Sequence, residues 1–181
     1  HPDLLPATAV SADYARRISF MNAQGRHVAP ALLYYPITTV WAHCHEGLGK
    51  PRPAGRGKRR PVGNEQIDLT EHHYSQLMDR LVGAQWDFDV TDDDFLKEAR
   101  IDGQAIRIGP ETFRALIIPP TSTFRRPALA RIAEFYAQGG LVVATGSLPT
   151  ISMEEGRDDP ELARLVREIF GQVPEEAEFA A

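Results

Sequence analysis

Three short apolar runs, each stopped by proline or glycine, constrain this chain more than any other feature. Residues 28–35 (VAPALLYY) end at Pro36, residues 114–118 (RALII) end at Pro119-Pro120, and residues 141–145 (LVVAT) end at Gly146. Apolar side chains at successive positions point to both sides of a strand. Such a strand must be covered on both faces, which is the condition of a parallel sheet flanked by helices. Pro30 cannot donate to a ladder, so it belongs at a strand start or an edge. Residues 86–90 (WDFDV) alternate and predict a further strand.

Helical spacings lie between these runs. Ser11 predicts an N-cap for a helix to about residue 24, ended by Gly25, with Tyr14, Ile18 and Met21 on one face and Phe20 off it. Asp68 and Glu71 have capping-box spacing and predict a helix start; Tyr74, Leu77, Met78 and Leu81 form its stripe, and Gly83 ends it. Residues 92–99 predict a short helix, and Asp102-Gly103 a tight turn between two short extended pieces. A helix over 127–138 should stop at Gly139-Gly140, and Asp159-Pro160 should start one running to Phe170. Helix and strand alternate throughout. The fold class is therefore α/β, a parallel sheet of about four to five strands with helices on both faces and right-handed crossovers.

At 181 residues, 43% hydrophobic and 25% charged, the chain fits one globular domain. A net charge of −5 argues against nucleic acid as the main partner, since phosphate binding needs a basic face. No apolar run is long enough to predict a membrane span. The single cysteine, Cys44, excludes an internal disulfide and leaves the compartment open, a secreted or periplasmic one included. The expected layout is a linker over 1–10, one α/β domain over 11–171 and an acidic tail over 172–181. A mobile loop rich in Pro, Gly and basic residues is expected within the domain at 47–64. Six basic and no acidic side chains fill residues 50–60 (KPRPAGRGKRR), a run that could meet an acidic partner or simply be a solvated loop. The opening His-Pro-Asp suggests a fragment of something longer.

In open parallel sheets, ligands sit beyond the carboxyl ends of the strands. The densest chemistry there is Trp41-Ala-His43-Cys44-His45-Glu46. On an extended segment His43 and His45 would point the same way and could share a metal completed by Glu46 or Cys44. The competing reading is a polar loop lining a cleft, with Trp41 as a stacking or packing residue. Cys44 as a nucleophile would need a base or a helix N-terminus and lacks a Gly-x-Cys-x-Gly elbow; Ser147 likewise lacks its elbow. Gly47-Leu-Gly49-Lys50 lacks the spacing of a phosphate-binding loop. Asp87, Asp89, Asp92, Asp93 and Asp94 could pair as acid and base, but they also suit a strand followed by an acidic helix start. No catalytic residue, metal or cofactor is assigned.

Residues 14–29 (YARRISFMNAQGRHVA), Leu32-Leu-Tyr-Tyr-Pro36 and Trp41 resemble the region after the catalytic barrel in α-L-rhamnosidase-type glycoside hydrolases. Trp86-Asp-Phe-Asp89, Ala115-Leu-Ile-Ile-Pro119 and Gly139-Gly-Leu-Val-Val143 continue the pattern in order, so the resemblance covers roughly residues 12–170. It implies a flavodoxin-like or amidotransferase-like α/β module whose catalytic carboxylates lie in an upstream barrel. No position here matches those carboxylates. The implied role is a non-catalytic accessory module that supports the barrel of the same polypeptide and brings Trp41, His43, His45 and Glu46 toward a sugar cleft. Two alternatives are a free-standing amidotransferase-like or small hydrolase domain using Cys44, and an oligomerisation module forming a homo-oligomer, as a related module does in some β-galactosidases.

Overall fold

The computed structural model describes residues 5–44 and 64–171. The expected loop at 47–64, except Asn64, and the tail at 172–181 lie outside the described residues. In chain order the elements are α1 (Leu5–Asn22), β1 (Ala31–Tyr34), α2 (Ile37–His43), α3 (Glu65–Gly83), β2 (Phe88–Thr91), α4 (Asp93–Glu98), β3 (Arg100–Ile101), β4 (Ile106–Ile108), β5 (Glu111–Phe113), β6 (Ala115–Ile118), β7 (Thr123–Phe124), α5 (Arg126–Ala137), β8 (Leu141–Ala144), β9 (Ile151–Ser152), β10 (Gly156–Arg157) and α6 (Pro160–Phe170).

The three apolar runs and residues 88–91 form one parallel sheet in the order β2-β1-β6-β8. The α/β fold class read from alternation is what the chain adopts. Two small sheets, β3-β4-β5 and β7-β9-β10, flank it. Their strands are two or three residues long, too short for periodicity to reveal most of them.

Register decides which side chains share a face. Leu33 lies opposite Val90 and Ile117, and Ile117 opposite Val143; Leu32 lies opposite Asp89 and Leu116, and Leu116 opposite Val142. One face carries Leu32, Tyr34, Leu116 and Ile118. It packs on Leu96 of α4, Leu129, Ile132 and Phe135 of α5, and Leu162 and Val166 of α6. The other face carries Ala31, Leu33 and Ile117 under Tyr74, Leu77, Met78 and Leu81 of α3. Gly140 admits Phe135 to the first core: a Cβ there would meet the ring at 2.1 Å. Gly140 is required by close approach, while Gly139, at φ +86°, takes the left-handed turn that ends α5.

Several boundaries differ from expectation. The first helix starts at Leu5, so residues 5–10 of the expected linker are helical and Ser11 is not its cap. Ala7, Ala9 and Ala12 favour helix strongly, and Pro6 is tolerated in a first turn. The third helix is capped by Asn64, whose side chain accepts from Gln66 N, not by Asp68. Asp68 instead sits in the first turn, where its charge suits the helix dipole. The second strand starts at Phe88 because Trp86 N donates to Leu81 O at 3.0 Å, drawing Trp86 into the turn after α3. The expected caps at Asp92 and Asp159 are present, each accepting two backbone N–H groups.

Candidate functional site

Beyond the carboxyl ends of β1, β2 and β6, the chain gathers a dense set of hydroxyl groups around α2. The segment carrying Trp41 and His43, read from the sequence as extended or as a polar loop, is part of a helix over Ile37–His43, immediately after Pro36. This changes the geometry of the expected cluster. On a helix, positions two apart lie about 200° around the axis, so Trp41 and His43 face opposite ways. Trp41 is 52% exposed. His43 turns inward, its Nε2 at 3.1 Å from Ser122 Oγ. His45 and Glu46, and with them the expected histidine pair, lie outside the described residues. Among the described residues no group of three or more His, Cys, Asp or Glu side chains could hold a metal ion.

Four residues before His43, on the same helical face, Thr39 is fully buried. Its Oγ1 lies 2.6 Å from Thr121 Oγ1 and accepts from the backbone N–H groups of Ser122 and Thr123, each at 3.2 Å. These are backbone donors of a connection between two strands, and burial would leave them orphaned without Thr39. Thr38 donates to Asp93 Oδ2 of α4, which also accepts from Tyr34 OH at 2.8 Å. Asp93 Oδ1 accepts from Arg125 N at 3.2 Å. The Tyr34 ring stacks on Phe124, centroids 4.5 Å apart. One buried carboxylate thus ties β1, α2, α4 and the start of α5 together.

Burial raises the Asp93 carboxyl above its ordinary range, against the opposing pull of the two hydroxyl donors. Burial, and then the Asp93 charge, pushes the Tyr34 phenol well above its ordinary value. Both oxygens of Asp93 are occupied by protein donors and the residue is 2% exposed, so it works as a lock rather than as an acid or base. His43 is held below its ordinary value by burial and then by the Arg157 charge. The Ser122–His43 contact fastens α2 to the β6–β7 connection. Cys44 is exposed at the C-cap of α2.

The acidic cluster separates in space. Asp92 caps α4, Asp93 is buried, Asp94 pairs with Lys97 at 2.7 Å, Asp89 meets His27 at 3.1 Å, and Asp87 is exposed. No two of these carboxylates are presented as an acid–base pair. The residues that build the site, Thr38, Thr39, Thr121, Ser122 and Thr123, were missed. Their signal is a hydroxyl pair one residue beyond Pro36 and a hydroxyl triplet directly after Pro120, where a buried connection needs local hydrogen-bond partners.

No family model matches the chain, and no curated protein matches it. Among solved structures, the fold is similar to the crystal structure of beta-galactosidase from Bifidobacterium adolescentis, with a TM-score of 0.50 and 16% identity. The likeness covers 83% of this chain and 57% of that one, so this chain corresponds to little more than half of that protein's length. At this identity the likeness is one of fold: the chain shares an α/β architecture with part of a bacterial glycoside hydrolase.

Proposed function

We propose that the chain is a non-catalytic α/β accessory module of a larger glycoside hydrolase of the α-L-rhamnosidase type. It supports a catalytic barrel elsewhere in the same polypeptide. The observation that carries this reading is the likeness to a glycosidase, which takes in most of this chain and only part of that enzyme. The α2 edge supports it too, because its polar groups are consumed in holding the edge together. What this edge offers outward is the Trp41 ring, a surface suited to the apolar face of a sugar. His45 and Glu46 follow it in the chain and join the proposed sugar contact. His43 contributes by fixing the helix that carries Trp41.

Two experiments test the proposal. The purified chain is assayed against aryl glycosides, rhamnosides first; a cooperatively folded chain with no turnover is expected. Turnover abolished by alkylating Cys44 would replace this reading with a small hydrolase. In the intact enzyme, Trp41→Ala is expected to weaken sugar binding about tenfold, on the order of 1.4 kcal/mol, with the fold unchanged. Unchanged affinity removes Trp41 from the cleft.

A further inference from the structure

The small sheet β7-β9-β10 has two faces of opposite character. Residues paired across strands share a face. Phe124 lies opposite Ser152 and Ser152 opposite Gly156, while Thr123 lies opposite Ile151 and Ile151 opposite Arg157. The first row turns to the core, where the Phe124 ring stacks on Tyr34. The second row turns the other way, toward α2. Thr123 Oγ1 lies 3.2 Å from Ser122 Oγ, which lies 3.1 Å from His43 Nε2.

The charges around this sheet sort unevenly. Glu154, Glu155 and Asp159 gather around Arg126 at the start of α5, with ion-pair distances of 3.7, 3.4 and 3.4 Å. Arg157, exposed, stands instead in the row that faces α2. Two strand spacings, roughly 9.6 Å, separate the Thr123 and Arg157 backbones. Arginine carries its charge at the end of a long stem. That charge is felt at His43, where it adds to burial in disfavouring the imidazolium. The other groups beside His43 are Asn64 of the α3 cap, whose Nδ2 donates to the His43 carbonyl at 2.8 Å, and Cys44, next in the chain.

Two neighbouring groups that are cationic, or become so on gaining a proton, disfavour each other, and a negative charge between them reverses the effect. A guanidinium presents parallel donors that fit two oxygens of one anion. An imidazole close to its titration range takes up a proton when an anion arrives. Once protonated, the ring donates from Nε2 to Ser122 Oγ, which leaves the Ser122 O–H to donate in turn.

We infer that Arg157, His43 and Ser122 form a binding site for a small oxyanion, a carboxylate or a phosphate, on the α2 side of the β7-β9-β10 sheet. Arg157 holds two of its oxygens, the Ser122 hydroxyl donates to it, and His43 supplies the balancing charge through Ser122. Trp41 faces the other side of α2, so this site is separate from the proposed sugar contact and does not depend on the role in a glycosidase.

The test follows the His43 imidazole by nuclear magnetic resonance in the isotope-labelled full chain, its signal assigned by its loss in His43→Gln. Sodium glucuronate or inorganic phosphate is added at an ionic strength held constant with sodium chloride. The expected result is a saturable shift with at least one of the two, which identifies the oxyanion, and a titration midpoint of the ring that moves upward as the anion binds. Arg157→Gln should raise the dissociation constant at least about tenfold, and Arg157→Lys, which keeps the charge without the fork, by less. Circular dichroism checks that both variants keep the fold. A ring indifferent to both anions overturns the inference. So does a shift that methyl glucoside reproduces at the same concentration, or one that Arg157→Gln leaves unchanged.

Discussion

The two faces of the central sheet differ more than any other two regions of the molecule. Toward α4, α5 and α6, Leu32, Tyr34, Leu116 and Ile118 sit in a closed core with fully buried side chains from three helices. Toward α3, three buried residues are covered, among the described residues, by one helix, and the face thins at both edges, to exposed Val90 on β2 and Leu141 and Val143 on β8. The same strands supply both faces, so strand chemistry is not the cause. The cause is how many helices lie on each side. The larger share of the packing energy therefore resides on the closed face.

The sharpest challenge to that contrast is a matched pair of substitutions. Leu116 and Leu33 are both fully buried, on adjacent strands, and face opposite sides. Leu116→Ala is expected to cost about 4 kcal/mol and Leu33→Ala about 2–3 kcal/mol in chemical denaturation, because the thinner side collapses more easily around the lost volume. Equal losses would mean that the faces are energetically alike.

The Asp93 lock comes next in size. Asp93→Ala orphans the Tyr34 and Thr38 hydroxyls and the Arg125 N–H, and should cost about 2–3 kcal/mol. Its pH dependence has a defined sign. Because the folded value is raised, the contribution of Asp93 is fully present below the unfolded value of about 3.9 and is lost as pH rises through the folded value. Asp93→Asn lacks this titration. Its melting temperature should therefore gain on that of the parent as pH rises from about 4 toward neutrality. A constant difference across that range would refute the assignment.

A smaller effect is expected at His43, half-buried beside Ser122. His43→Ala should cost about 1 kcal/mol. The imidazole is held below its ordinary value, so its contribution is present above about 6.5 and is lost as pH falls through the folded value. The variant should show a flatter acid limb in thermal melts. An unaltered limb would mean that His43 does not restrain α2.

How much of this was legible follows from what sequence periodicity can see. Three of the four parallel strands are legible as unbroken apolar runs and the fourth, β2, as an alternating one. The helices were visible because Tyr74, Leu77, Met78 and Leu81, and Leu162, Leu165, Val166 and Ile169, repeat at helical spacing. The α2 helix was not visible: Ile37, Thr38, Thr39 and Val40 are β-branched and disfavour helix locally, and the helix exists because Thr38 and Thr39 are bonded to Asp93 and to the β6–β7 connection. The candidate site was hidden for the same reason. Its partners are 55 to 84 residues apart in sequence, so adjacency around Trp41 and His43 suggested a shared surface that the helix divides. Asp93 stood out as one of five acids, but only topology distinguishes the buried member from those that cap or pair at the surface.

Hydrogen exchange, followed residue by residue, tests the contrast between the faces most directly. The amides of α5, on the closed face, should exchange only through global unfolding, while those of α3, on the thinner face, should exchange through a smaller local opening. If α3 is as protected as α5, the contrast drawn between the two faces fails.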